Sequence, residues 1–269
     1  MSHSWSGATG SEVRFACRTG SWDRPTSGMA NGFVQANIVI LPPQLADDFQ
    51  GFCEANPIPC PLLERTSGAI LEPVRFAPGS DLRTDVPRYR IYRDGVPDPN
   101  EPTDVIAEVG DKFVGFLIGC SFTFESAMDR AGFELRHQVQ GVNVPMYRTS
   151  RSCTPVGCFS GPMVVSMRPV VAERVPEVCA LTARYPRVHG APVHVGDPAA
   201  IGIRDLSHPD WGDAVEVRNG EVPVFWGCGV TPQAVAQDSR PSRMITHAPG
   251  HMFVTDVRDS DLLEIDQSG

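Results

Sequence analysis

A short pattern that occurs twice constrains the fold of this chain more than any other feature of its sequence. An apolar run ending at Gly119 leads through Gly-Cys-Ser into a helical pattern, and an apolar run ending at Gly227 leads through Gly-Cys-Gly into another. An apolar run that breaks at glycine before helical periodicity predicts a buried strand, a tight turn and a helix. Because two matching units are present, we expect them to form one site with approximate internal symmetry.

Each unit contains residues suited to the beginning of a helix. Ser121 or Thr123 can cap the first helix, and Thr231 can cap the second, with Pro232 at its first helical position. A helix N-terminus presents free backbone N–H groups and a positive dipole end, which suit a carboxylate or a phosphate. The residues expected to bind the acidic groups of a substrate at these turns are Gly119, Ser121, Gly229 and Thr231.

The composition is that of a soluble globular chain with an acidic balance of charge. Its 269 residues are enough to bury a large core, and 41% are hydrophobic while 20% are charged. No apolar run approaches the roughly 20 residues of a membrane span, and the polar N-terminus lacks a signal-peptide core, which predicts a cytoplasmic protein. A net charge of −9 argues against nucleic acid as a partner. The expected partner is a small carboxylate substrate, with no nucleic acid and no membrane, and homodimer formation stays open.

Lysine and cysteine usage excludes several kinds of chemistry. Lys112 is the single lysine, so a Schiff base or a pyridoxal phosphate linkage would have to use it. The eight cysteines are spread over the chain without a Cys-x-x-Cys pair, which favours free thiols over disulfides or a structural zinc site. We therefore predict no cofactor and no metal ligands, although a carboxylate-rich site could recruit a divalent metal ion.

Strands that alternate with helices indicate an α/β fold. The two matching units lie on either side of residues 132–216, whose own pattern is strand, strand, helix, strand. We interpret this as a larger three-layer α/β domain, formed by residues 1–131 and 217–269, with a smaller two-layer α+β domain inserted at 132–216.

Two further stretches carry local predictions. Residues 1–30 are rich in Gly, Ser and Thr and show little periodicity, so we expect an irregular arm or a wrapped loop. Residues 215–222 alternate between apolar and polar side chains around Asn219-Gly220, which predicts a β-hairpin.

Histidines occur in two Gly- and Pro-rich segments. His189, His194 and Asp197 lie close together in the first, and an aspartate beside a histidine suits general acid–base chemistry. The alternative is a loop in which Asp197 bonds to the backbone. In the second segment His247 and His251 flank Pro-Gly, which excludes a helix, so proton transfer or carboxylate binding is favoured over a zinc site.

Three other side chains are candidates for the site. Arg148 beside Tyr147 could clamp a carboxylate, the alternative being a solvated loop. Cys120 follows Gly119 at a helix N-terminus, where a thiol pKa is lowered and the thiolate can be a nucleophile. The alternative is a small core residue, which cysteine often is.

Taken together, these motifs resemble the bacterial hydro-lyase family related to D-glutamate cyclase. The resemblance extends from about Arg14 to Asp256 and implies a two-domain α/β fold and a carbon–oxygen lyase. The segments that carry it are 34–37 (VQAN), 119–122 (GCSF), 143–149 (NVPMYRT), 189–198 (HGAPVHVGDP) and 246–252 (THAPGHM).

The expected reaction is loss of water from a small carboxylic or amino acid, with cyclisation of D-glutamate to 5-oxo-D-proline as the specific form. It needs groups that bind carboxylates and groups that move protons. The open alternatives are a non-catalytic carboxylate-binding or regulatory protein and a cysteine-dependent acyl-transfer or amidohydrolase enzyme. The predicted catalytic residues are His194, Asp197, His247, His251, Tyr147 and Cys120. The predicted substrate-binding residues are Gly119, Ser121, Arg148, Cys153, His189, Gly229 and Thr231.

Overall fold

Strand β1 (Phe33–Leu41) is the centre of a seven-stranded sheet. The computed structural model describes residues 5–67, 70–110 and 112–265, and every strand pairing within them is antiparallel. The other strands are β2 (Leu62–Arg65), β3 (Tyr89–Arg93), β4 (Val96–Pro97), β5 (Val114–Gly119), β10 (Arg243–His247) and β11 (Phe253–Arg258). Their order is β2-β5-β1-β10-β3-β4, and β11 pairs with β1 beside β10.

A second sheet contains four strands in the order β6-β7-β9-β8. These strands are β6 (Met146–Ser152), β7 (Pro162–Val171), β8 (His194–Val195) and β9 (Glu221–Gly227). β9 falls outside the segment 132–216, although it pairs with β7 along its whole length. The division of the chain into two domains with those boundaries stays a prediction.

Helices cover both faces of the seven-stranded sheet, as the α/β interpretation requires. They are α1 (Gly10–Arg18), α2 (Pro43–Ala55), α3 (Phe122–Arg130), α4 (Arg136–Gln140), α5 (Val175–Ala183), α6 (Thr231–Ser239) and α7 (Asp259–Ile265). Helices α2 and α6 pack on one face, and α3 and α5 pack on the other. None of the helices in the described ranges is long and apolar enough to cross a bilayer.

The sequence of β1 explains its central position. Successive strand residues point to opposite faces, and both faces of β1 are apolar. Ile38 and Ile40 pack against α3, whereas Val39 and Leu41 pack against the aromatic residues of α2. A strand that is buried on both sides reads as a continuous hydrophobic run.

Both repeated units fold as predicted, since β5 leads into α3 and β9 leads into α6. The predicted caps are partly wrong. Ser121 is the N-cap of α3, but its side chain makes no capping bond. Thr231 is the first residue of α6, not its cap, and its hydroxyl donates to the Cys228 carbonyl at 2.7 Å. Both hydroxyls are instead used in contacts that hold the turns in place.

The N-terminal segment is not an irregular arm, because α1 forms there. Thr9 and Glu12 make a capping box in which each side chain bonds the backbone N–H of the other. Val13 and Cys17 are buried beneath the helix, against Val254 of β11. The Thr-x-x-Glu spacing was the signal for this helix.

The predicted hairpin at 215–222 is also wrong. The turn exists, with Gly220 at a φ of 84°, but strand structure begins only at Glu221. β9 pairs with β7 and β8, not with residues 215–218 on the other side of the turn. Tertiary pairing therefore overrides the local turn signal.

Candidate active site

The two repeated turns meet on either side of Asn37, a polar residue in the apolar strand β1. Its Nδ2 donates to the Gly119 carbonyl at 2.8 Å. A Cβ atom on Gly229 would overlap the Asn37 side chain. The side chain, 2% exposed, therefore fills the gap between the first turn and the second. The repeated motif predicts this convergence, but the local pattern of β1 does not show that Asn37 lies between the turns.

Apolar contacts hold the same arrangement together. Cys120 and Cys228 belong to one buried cluster, which also contains Phe122, Val164 and Met252. In the turns themselves, the backbone N–H groups of Ser121 and Gly229 donate to no acceptor within the described ranges. Two helix N-termini and two free amides thus lie in one buried region, which suits the binding of an anion.

His247 is connected to the turns through Asn37. Its Nε2 lies 3.0 Å from the Asn37 Oδ1, and its Nδ1 lies 2.7 Å from the Ala248 carbonyl oxygen. Both partners are acceptors, so a neutral ring can donate to only one of them. Burial nevertheless lowers the pKa of His247 to about 4, although the Ala248 carbonyl acts in the opposite direction. A proton added at this ring would satisfy both contacts.

The second histidine of this segment is placed differently. His251 is half-buried, and its Nδ1 lies 3.0 Å from the Pro249 carbonyl oxygen. Burial lowers its pKa as well. Asn143 packs beside it, with Nδ2 donating to the same carbonyl at 3.2 Å. His251 therefore borders the site, whereas His247 is bonded into it.

His189 lies at the other side of the turns. Its Nδ1 is 2.8 Å from the Ile58 carbonyl oxygen, and its Nε2 has no hydrogen-bond partner in the part of the chain that is described. The residue is 3% exposed, and burial lowers its pKa to about 4. A buried imidazole nitrogen without a partner is unusual in a folded protein.

A buried ion pair that the sequence analysis missed supports the first turn. The Arg168 Nε donates to Glu125 Oε1 at 2.9 Å, and its Nη2 donates both to the same oxygen and to the Ser121 hydroxyl, at 3.0 Å from the latter. Arg168 is 1% exposed and lies over the rings of Phe124 and Trp226. Burial raises the pKa of Glu125, but Arg168 and the imidazole of His137, 3.2 Å from the carboxylate, outweigh burial and lower the pKa to about 2.

A small cavity reaches the ion pair from the surface. It lies between the loop 28–31 and helix α3, and Glu125 is one of the residues that line it. Among the residues that line it are Gln35, Phe122, Glu125, Ser126, Leu135 and Gln138.

The predicted His194–Asp197 pair does not form. The His194 Nε2 contacts the Asp197 backbone carbonyl at 2.6 Å, while the carboxylate accepts from the Ala199 N–H and caps a short 3-10 helix. His194 packs on Phe225, on the face of the second sheet that points away from Trp226. The capped-loop alternative is therefore the one observed.

Tyr147 and Arg148 also lie away from the turns. The Tyr147 hydroxyl donates to the Leu206 carbonyl at 2.8 Å, in the same outer cluster as Phe225. Burial raises its pKa. Arg148 bonds Gln237 and Asp238 at the end of α6, so its guanidinium is already occupied by the protein.

The remaining predicted residues have structural positions. Cys153 is buried against Phe49 and Phe159 in the core beneath α2, and burial raises its pKa to about 11. Thr231 accepts from the Val164 N–H at 3.0 Å and so joins α6 to the second sheet. Within the described residues, no group of three or more His, Cys, Asp or Glu side chains could hold a metal ion. The metal requirement stays a prediction.

Fold and site together define a mixed α/β protein with a buried polar centre between paired Gly-Cys turns. The chain belongs to the D-glutamate cyclase family, whose pattern matches residues 114–256. A protein of Stutzerimonas stutzeri named "Putative hydro-lyase" is 56% identical over 250 residues, covering 93% of this chain and 94% of its own. Other proteins named as putative hydro-lyases are 54% identical in Natranaerobius thermophilus, with coverage of 94% and 97%, and 53% identical in Bacillus subtilis, with coverage of 93% and 97%.

These relatives confirm the family that the motifs resemble and the class of enzyme, a lyase of the hydro-lyase type. They extend over nearly all of this chain and of their own chains, so the shared region includes both turns and every candidate residue. D-glutamate as the substrate stays a prediction.

Proposed function

We propose that this hydro-lyase acts on a small carboxylic or amino acid and that it converts D-glutamate to 5-oxo-D-proline with loss of water. The observation that supports the proposal is the meeting of the two Gly-Cys turns at Asn37, with His247 and His189 on either side. The family description and the names of the relatives agree with it.

The turns supply the groups that a carboxylate needs. The free amides of Ser121 and Gly229 can donate to its oxygens, and the N-termini of the nine-residue helices α3 and α6 add positive dipole ends. The Ser121 hydroxyl oxygen accepts from Arg168, which leaves the hydroxyl hydrogen free to donate. Donors placed where negative charge develops lower the barrier to acyl chemistry because they need no rearrangement.

The buried histidines supply proton transfer. Burial lowers the pKa of each to about 4, so both are neutral at pH 7 and able to accept a proton. A bound carboxylate places negative charge nearby and raises the pKa of an adjacent imidazole. The histidines are therefore weak bases before substrate binds and stronger ones afterwards.

The proposal is tested by incubating the purified protein with D-glutamate, L-glutamate and small hydroxy acids and measuring loss of one water by mass spectrometry. We expect 5-oxo-D-proline from D-glutamate, with less or no product from the L-isomer. The same assay is repeated after treatment with a chelator and after addition of divalent metal ions. Binding of these acids without any loss of water would support the carboxylate-binding alternative instead.

Replacing Cys120 with alanine is expected to leave most of the turnover intact. Burial raises the pKa of this thiol, contrary to the lowered value that its place before a helix predicts, so almost no thiolate is present at neutral pH. The water-loss assay measures the effect, with Cys228→Ala as the matched control. Loss of turnover in the first variant alone, or after alkylation confined to Cys120, would restore the cysteine-dependent mechanism.

A further inference from the structure

The glycines of both turns make room for one histidine and for the carbonyl group that anchors it. A Cβ atom on Gly119 would overlap the Arg187 carbonyl, two residues before His189. A Cβ atom on Gly227 would lie 2.9 Å from the Ile58 carbonyl oxygen, the same atom that the His189 Nδ1 contacts at 2.8 Å. The two turns are thus shaped around the position of His189.

The backbone of His189 is held in an unfavourable conformation. Its φ is 85°, in the left-handed region that residues other than glycine seldom adopt, although histidine, asparagine and aspartate enter it more often than most. Such a conformation persists only where the surrounding structure imposes it, and it is found most often at functional sites. Here the hydrogen bond to Ile58 and the close packing of the preceding residues against Gly119 impose it.

The same hydrogen bond fixes the tautomer of the ring. A carbonyl oxygen only accepts, so the Nδ1 of His189 carries the hydrogen, and the neutral ring has its lone pair on Nε2. Nε2 is buried and has no partner among the described residues. No donor among the described residues satisfies this lone pair, and the Gly119 carbonyl near the ring can only accept, so an N–H group of a ligand would satisfy it.

We propose that the His189 Nε2 accepts a proton from the α-ammonium group of the substrate, which makes amino acids, not hydroxy acids, the substrate class. This inference rests on the proposed function of the turns. An ammonium N–H is a strong donor to a neutral imidazole nitrogen, whereas a C–H bond, the proton source in dehydration of a hydroxy acid, is a weak one.

The proton balance of the cyclisation agrees with this role. The ammonium gives one proton to Nε2, and the resulting amine attacks the γ-carboxyl carbon, forming the C–N bond. The nitrogen then loses a second proton, and one carboxyl oxygen leaves as water after taking up both protons as the C–O bond breaks. No oxidant, reductant or other reactant is required.

The decisive variant is His189→Asn. Asparagine tolerates a positive φ, and its Nδ2 can take the place of the histidine Nδ1 as donor to the Ile58 carbonyl, but it has no atom equivalent to Nε2. We expect a folded protein with at least about a 100-fold lower kcat on D-glutamate, the usual size of a general-base effect. Glutarate, which has both carboxylates and no ammonium, should bind the variant and the wild type equally by calorimetry. Turnover at the wild-type rate would overturn the inference and leave the proposed function intact.

A second measurement does not depend on turnover. Nitrogen-15 NMR of histidine-labelled wild-type protein should show His189 as the Nδ1–H tautomer, with an Nε2 signal that moves when D-glutamate is added and not when a hydroxy acid of the same length is added. An Nε2–H tautomer would overturn the inference whether or not the variant folds. Turnover of hydroxy acids but not amino acids would overturn it too, while the assignment as a hydro-lyase would stand. Absence of turnover with every acid, together with the predicted tautomer and shift, would refute the proposed function and retain His189 as an ammonium-binding group.

Discussion

Replacing Arg168 with methionine is expected to lower the free energy of unfolding by about 3–5 kcal/mol at neutral pH, because the change leaves a buried charge without its partner. Arg168 and Glu125 are 1% and 2% exposed in their side chains, so a carboxylate left without its partner would be poorly solvated. Methionine keeps much of the apolar length that packs beside Trp226. Chemical denaturation followed by fluorescence measures the difference.

The pH dependence of that difference identifies its cause. Glu125 has a pKa of about 2 in the folded protein, against an ordinary value of 4.5. Burial raises this pKa, but Arg168 and the imidazole of His137 outweigh it. A carboxyl with a lowered folded pKa stabilises the fold above its unfolded pKa, and this contribution is lost as the pH falls from 4.5 towards 2. In the variant the lowering effect of Arg168 is lost, while burial still raises the pKa and His137 still lowers it, so the pKa of Glu125 is higher than in the wild type and protonation removes the buried charge at a higher pH. The difference in the free energy of unfolding between the wild type and Arg168→Met should therefore become smaller as the pH falls.

Two controls separate the ion pair from general damage to the core. The double variant Arg168→Met with Glu125→Gln removes both charges and should be more stable than Arg168→Met alone. Arg174→Met removes an ion pair at the surface, where Arg174 contacts Glu177 at 2.9 Å, and should have little effect. Equal losses for the buried and the surface substitution would contradict the prediction.

Replacing Gly229 with alanine is expected to reduce turnover by about 100-fold or more, since misplacement of a site by about 1 Å can have that effect. The new Cβ atom would overlap the Asn37 side chain, which would have to leave its place between the turns. Its departure breaks the bond to the Gly119 carbonyl and the contact with His247. Overpacking should also lower the free energy of unfolding, by about 1–3 kcal/mol. The water-loss assay and chemical denaturation measure the two effects.

A double-mutant cycle tests whether the overlap with Asn37 is the reason. In the variant Asn37→Ala with Gly229→Ala the overlap disappears, so its loss of stability should be smaller than the sum of the two single losses. Turnover should remain low in all three variants, because each lacks the Asn37 amide in its native place. Gly7→Ala is the matched control, since a Cβ atom there meets nothing within 4 Å. Full turnover in Gly229→Ala would show that the turns do not form the site.

The parts of this molecule that could be predicted from sequence are those in which signal and structure are contiguous. The strand, turn and helix around Gly119 occupy one short stretch, and so do those around Gly227. Apolar periodicity and a glycine break are enough to locate such units. The expectation that the two matching turns would lie together also needed only the repetition, whereas their role as a shared site stays a prediction.

The partners of each turn could not be predicted in the same way. Asn37 and His247 are 210 positions apart, Ile58 and His189 are 131 apart, and Glu125 and Arg168 are 43 apart. Each lies in a segment whose local pattern gives no indication of the other. A polar residue inside an apolar strand, as at Asn37 and Arg168, was the one available sign that something buried must satisfy it.

Proximity in sequence was misleading for His194 and Asp197. The carboxylate found a nearer donor in the backbone N–H two residues on, a local bond that aspartate makes readily before a helical turn. The imidazole was left with the Asp197 carbonyl group. Spacing alone does not distinguish a catalytic pair from a capped loop.

The two turns leave different sheets, since β5 belongs to the seven-stranded sheet and β9 to the four-stranded one. Neither sheet on its own therefore carries both turns of the proposed site. The distance between the two turns depends on residues such as Trp226, which is buried in the cluster that the two sheets share. Selection for activity should accordingly constrain side-chain volume in this apolar interface between the sheets. A larger or smaller side chain there would change the distance between the two turns.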